Sequence, residues 1–156
     1  MVAIRATVDA MELVGLPDFG PDDSAQIVDG EDDPWATGQL SIEWRTKTAH
    51  LGLMDRGRLI GHAGWVPTRV SRAAGQVVEV LGLGGVIVRR DHRGNGAGAE
   101  LDSGAMTRMA ELGGSLGMLF CRPERLAFYE RLGWIRITGT VTADQPAGPI
   151  TVPLCA

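Results

Sequence analysis

The chain has 156 residues, 44% of them apolar, which suits one domain burying about two thirds of the surface that its unfolded form exposes. Its formal net charge is −4, but residues 1–43 hold ten of the nineteen acids against Arg5 alone, so the remainder of the chain is basic. Two cysteines, Cys121 and Cys155, make neither a disulfide framework nor a metal site, and no metal is expected. The uneven charge suits a cationic partner at the front and a polyanionic ligand behind it.

No run approaches the ~18 apolar residues of a membrane span, and Asp9 and Glu12 stand where a signal peptide would be apolar. A cytoplasmic protein without a membrane partner is expected. Nucleic acid is disfavoured as a partner, because no basic helix carries interleaved aromatics.

In chain order, Ile4 to Val8 reads as a first short strand. Pro21-Asp22-Asp23-Ser24 opens a short helix to about Asp29. Asp33-Pro34 reads as an N-cap and first helical position, with a second helix to about Trp44. Three strands follow as a meander: Lys47 to Met54, Arg58 to Val70 and Gln76 to Val88, the first two joined by Asp55-Arg56-Gly57. After a glycine-rich loop, a helix carries Leu101, Ala105, Met109 and Leu112 on one face and stops at Gly113-Gly114. Ser115 to Cys121 is a short apolar strand. Arg122-Pro123-Glu124 starts a helix that ends at Leu132 before Gly133. Trp134 to Val141 and Ile150 to Leu154 give two last strands.

The central stretch is Gln76 to Leu112, a strand, a tight basic loop and a helix. The strand is rich in Val, Leu and Ile and is broken by Gly82, Gly84 and Gly85, which suggests a bulge or a close backbone approach. Arg93-Gly94-Asn95-Gly96-Ala97-Gly98 then feeds the helix. Main-chain amides at a helix start lack intrahelical partners and can point at phosphate oxygens, and glycine lets the anion come close. The dinucleotide fingerprint and the P-loop pattern are both absent.

This loop after Val86-Ile87-Val88 resembles the coenzyme A pyrophosphate motif of the GNAT superfamily of N-acetyltransferases. Phe128-Tyr129-Glu130-Arg131-Leu132-Gly133-Trp134 is similar to a second family element, in the family's order. The resemblance implies the α/β (α+β) GNAT fold over a single domain, residues 1–156. It implies a mixed central sheet of about six or seven strands with four helices, splayed between the fourth and fifth strands. Acetyl-CoA would then be the acetyl donor. Its diphosphate would lie on Arg93, Gly94, Asn95, Gly96, Ala97 and Gly98, and its pantetheine arm along Val86, Ile87 and Val88.

Acetyl transfer needs an acid for the leaving thiolate and a route for the amine's proton. Tyr129, the one tyrosine, is the candidate acid, since a phenol stays protonated at neutral pH. The base is less plain. Gly82 and Gly84 stand where relatives place a strand glutamate. Glu79, upstream on the same strand, is the first candidate and His62 the second; an ordered water relay is the third. His92 is expected to face solvent or phosphate.

The resemblance implies that the first two helices wall the acceptor site; that wall would carry Asp29, Glu31, Asp32, Asp33 and Trp35, an acidic and aromatic set suited to a small cationic amine, with Asp32, Asp33 and Trp35 as the contacts. Gly85 to Gly94 resembles a segment of aminoglycoside 2′-N-acetyltransferases, including the kasugamycin-modifying type, and of rhizobial NodA-type acyltransferases. That likeness implies an amino-sugar acceptor and an antibiotic-resistance role. A polyamine, amino-acid or protein amine, or a non-catalytic acyl-CoA-binding module, is the alternative. Members of the superfamily are often homodimers.

Overall fold

The computed structural model describes residues 11–156, so the strand expected over Ile4 to Val8 lies outside the described residues. One sheet holds β1 (Glu12–Leu16), β2 (Ala49–Asp55), β3 (Arg58–Ser71), β4 (Val77–Val88) and β5 (Gly117–Met118), in that spatial order. The first four are antiparallel neighbours; β4 and β5 run parallel. Helices α1 (Pro21–Val28), α2 (Ala97–Glu111) and α3 (Leu126–Arg131) complete the main body, and β6 (Thr142–Ala143) pairs with β7 (Ile150–Thr151) as a small separate ribbon.

Local chemistry explains the central hairpins. Arg56 and Gly57 both have positive φ, 49° and 76°, the twist that a two-residue turn needs to close Asp55 onto Arg58. In β4 the register against β3 slips between His62 and Gly64, so that Gly85 and Val86 together face Ala63. Gly85 takes φ 59° there, which glycine adopts without strain.

This bulge changes which side chains face which way. One extra residue reverses the period-two alternation. Leu83, Val86 and Val88 therefore join the core under α2, with Leu51, Leu53, Ala63, Trp65, Leu101, Ala105 and Met109. Ile87 turns to the opposite face and packs with Ile27, Leu59, Phe19 and Trp35 near α1. α2 lies close on the sheet because Gly104 has no side chain; a Cβ there would come within 2.5 Å of Leu13 Cδ1.

The sheet splits beside the bulge. β4 pairs with β5 only at Leu81 and Gly82, and the chain beyond Met118 leaves to bridge Cys121 with Cys155. Leu83 to Val88 thus keep β3 on one side and face a gap on the other.

Several expectations are corrected. The sheet has five strands with a two-stranded ribbon beside it, and three α-helices, among the described residues. The helix expected from Pro34 to Trp44 is absent. Asp33 does cap, but its carboxylate accepts from the amides of Thr37 and Gly38, and Ala36 sits at φ 54°, which breaks a right-handed helix. β1 is a strand that the sequence reading passed over. The strand expected over Trp134 to Val141 is irregular and leaves Ile135 89% exposed. Leu112, expected on the buried helix face, is also exposed.

Candidate active site

The loop before α2 has the conformation of an anion cradle. Gly94 and Gly96 have φ 80° and 89°, and no atom lies within 4 Å of where a Cβ would stand at either. Gly96 caps α2 without a side-chain hydrogen bond. Among the first amides, that of Ala97 donates to Asn95 Oδ1 at 3.3 Å; those that follow lack intrahelical acceptors and carry the positive end of the helix dipole. A Cβ at Gly98 would stand 3.4 Å from Phe128 Cζ, in ordinary contact, so α3 packs against the start of α2 here. The open edge of β4 leads directly into this loop. Together they fit a diphosphate with an extended arm, as coenzyme A has.

Arg93, expected to touch phosphate, is committed elsewhere. Its Nε donates to the Val88 carbonyl at 2.7 Å, and its two terminal nitrogens donate to Glu31 at 2.9 and 2.7 Å. The same pattern recurs beside it. Arg89 is buried and donates to the Gln26 carbonyl and the Asp29 carboxylate. His92 bridges Asp91 and Asp55 rather than facing an open cradle.

Tyr129 lies on α3 and packs against the cluster that contains Val88, Leu119 and Cys121, the residues flanking the split. Its ring meets Phe128 and Trp134 edge-on at 5.0 and 6.4 Å. Burial first, and the Asp102 carboxylate second, push its phenol up to about 12. The phenol therefore holds its proton throughout the neutral range. Asp102 itself is fully buried on α2. It accepts from Trp134 Nε1 at 3.0 Å, its second oxygen has no partner, and burial raises its carboxyl above the usual range.

The two candidate bases part company. Glu79 is exposed near the other end of β4, paired with Arg69 at 3.5 Å. Six residues separate it from the bulge, about 20 Å of strand, so the structure does not bring it to Tyr129 or the loop. His62 is at the bulge, but it is buried and pinned. The Gly85 carbonyl can only accept, so His62 Nδ1 carries the hydrogen of their 2.8 Å bond. Nε2 then accepts from His50 Nδ1 at 3.0 Å, and Phe19 stacks on the ring with 3.7 Å between centroids. Burial is the main reason that His62 falls to about 4. It braces the bulge and offers no free lone pair.

The acidic wall is largely spent on the protein itself. Asp29 holds Arg89, Glu31 holds Arg93, and Asp33 caps the backbone. Asp32 is exposed. Trp35 packs into the α1 core rather than presenting a stacking face. The cation of this surface was not anticipated: the Lys47 side chain crosses Gly64 and Gly84, which are register partners. A Cβ at Gly84 would stand 2.9 Å from Lys47 Cε and 3.0 Å from Nζ. Glycines facing each other on adjacent strands were the available signal, since they leave a trough that another side chain can fill.

A sheet parted between parallel neighbours, leading to a glycine turn with open main-chain amides and flanked by a half-buried phenol, is the architecture of a coenzyme A-dependent acyltransferase. The Acetyltransferase (GNAT) domain family matches residues 31–137, and the chain belongs to that family; it is an acetyl-CoA-dependent N-acetyltransferase. Among solved structures it is similar to glucosamine-6-phosphate N-acetyltransferase from Arabidopsis thaliana, at 13% identity and a TM-score of 0.57 over 86% of this chain and 97% of that one. It is similar to an acetyltransferase from Trypanosoma brucei, at 18% identity and a TM-score of 0.58 over 87% and 100%. A GNAT family acetyltransferase from Brucella melitensis in complex with acetyl-CoA matches at 20% identity and a TM-score of 0.57 over 83% and 84%. At these identities the likeness is one of fold. No curated protein sequence matches the chain.

Proposed function

We propose that the chain acetylates a primary amine of a small acceptor, with the cofactor's diphosphate on the main-chain amides of Gly94 to Gly98 and its arm along Val86, Ile87 and Val88. The observation that carries this reading is the open edge of β4 running from the split into the uncapped start of α2. Acetyl-CoA supplies an activated acetyl group and departs as the thiol. Tyr129 holds the proton that a departing thiolate requires. His62, by fixing the Gly85 carbonyl, holds the bulge in the shape that exposes this edge.

No side chain at Glu79 or His62 takes the amine's proton in this reading; a water between the acceptor and the open face does so. The aminoglycoside expectation drew on the Gly85 to Gly94 likeness and on an acidic wall; of that wall Asp29, Glu31 and Asp33 are engaged within the protein and Asp32 is left exposed, so it gives a polycationic acceptor little to hold. Thiol release from acetyl-CoA with a panel of amines tests the reading. Turnover with at least one small amine supports it. Saturable cofactor binding without turnover on any amine would instead favour a non-catalytic acyl-CoA-binding module.

A further inference from the structure

The α2 face of the parted sheet is filled by its core. An acceptor therefore reaches the open edge of β4 from the other face, where Gly64 and Gly84 form the floor of a trough. Lys47 lies along that floor. Its stem takes the space of two missing side chains, and its ammonium ends beside Gly84, one residue before the bulge. The ammonium's hydrogen-bond acceptor is the Arg45 carbonyl, at a long 3.4 Å. Among the described residues no carboxylate lies in ion-pair range of it, whereas Arg89 has two and Arg93 one. A partly desolvated cation without a counter-ion gains most from an anion supplied by a ligand.

We propose that Lys47 is the specificity residue of the acceptor site and that the acceptor carries a carboxylate or phosphate a few bonds from its reactive amine. This inference rests on the acetyltransferase reading above. Lys47 pairs with the acceptor's anion and so orients the amine toward the thioester. Burial and Arg45 already hold the lysine below its usual range, as expected of an ammonium short of water and of a partner.

The test uses the wild-type chain, Lys47→Met and Lys47→Arg, with acetyl-CoA and thiol release. Acceptors are offered in pairs: glucosamine 6-phosphate against glucosamine, and a set of amino acids against their amides, with spermidine and an aminoglycoside as cationic controls. The wild type should prefer the anionic member of at least one pair by roughly tenfold to a hundredfold in kcat/KM. Lys47→Met should abolish that preference chiefly through KM, and Lys47→Arg should restore part of it. Equal use of both members, or a preference that survives Lys47→Met, overturns the inference while leaving the acetyltransferase reading intact. A uniform fall in kcat for all acceptors also overturns it, because it would place Lys47 on the acetyl group. Cofactor binding with no turnover of any amine overturns the acetyltransferase reading and this inference with it.

Discussion

Glu31 and Arg93 face each other as a two-pronged ion pair, at 2.9 and 2.7 Å, across sixty-two residues of sequence. With Arg93 also holding the Val88 carbonyl, the pair ties the end of β4 to the segment after α1. The arginine of the loop is thus a fastening, which leaves the loop's main chain as the proposed contact for the diphosphate.

Glu31→Gln should therefore cost little stability, about 0–1 kcal/mol, and leave coenzyme A affinity nearly unchanged. Arg93→Ala should lower both, since it leaves the Val88 carbonyl without its donor and frees the loop. Hydrogen bonding to Arg93 holds the Glu31 carboxyl below its ordinary range. The pair's contribution is present above the unfolded value, roughly pH 4.3, and is lost as pH falls through the folded one. Melting curves between pH 3 and 7, with calorimetry at pH 7, check this. A tenfold loss of affinity in Glu31→Gln would contradict it.

His62 gives the chain a pH-dependent stability of the opposite chemical kind. The folded value is about 4 against 6.5 ordinarily. Between them the unfolded chain binds a proton that the folded chain does not. The group's contribution is complete above pH 6.5 and falls away as pH drops toward 4, by about 3 kcal/mol at about 1.36 kcal/mol per pH unit. His62→Phe keeps a ring on Phe19 but leaves the Gly85 carbonyl unpaired. It should cost about 1–3 kcal/mol at pH 7.5 and flatten the slope between pH 4 and 6.5. Parallel slopes in urea titrations would remove His62 as the cause.

Tyr129→Phe keeps the edge-on packing with Phe128 and Trp134, so its melting temperature should stay close to that of the wild type. Its acetyl transfer should slow tenfold or more if the phenol gives up a proton. Because the phenol is held near 12, wild-type activity should show no falling limb from this group below about pH 11. An unchanged rate in the variant removes Tyr129 from the chemistry.

Asp102 is the least comfortable charge in the fold, with one oxygen bonded to Trp134 and the other alone. Its raised carboxyl value means that the folded chain binds the proton more readily than the unfolded one. Its charge therefore costs stability as pH rises through the folded value. Asp102→Asn can still accept from Trp134 Nε1, and should be more stable than the wild type at pH 8, with the gain shrinking toward pH 4. A variant equally weakened at both pH values would mean that the carboxylate has a partner after all.

Much of this architecture was readable from residues. The Pro21 helix, the Arg56-Gly57 turn, the long strands and the glycine turn into α2 each carry a local signal that the fold obeys. What misled was a competition between local signals. Asp33-Pro34 has the chemistry of a helix start, yet Asp33 closes onto Thr37 and Gly38 and the chain turns left-handed at Ala36. The site was less legible than the fold. Carboxylates at 29, 31 and 33 look like ligand groups until Arg89, Arg93 and the backbone claim them. Lys47 was harder to find, because the trough it fills shows only once the register pairs Gly64 with Gly84 across strands.

In the proposed function, main-chain amides at the start of α2 hold the cofactor's diphosphate. Calorimetric titration of coenzyme A and of pantetheine into the wild type and into Gly96→Val tests it most directly, with circular dichroism confirming that both are folded. One coenzyme A should bind per chain, pantetheine at least a hundredfold more weakly, and Gly96→Val should lose most of the difference. Folded protein that takes up no coenzyme A, or a Gly96→Val variant that binds it as tightly as the wild type, would mean that these amides do not hold the diphosphate.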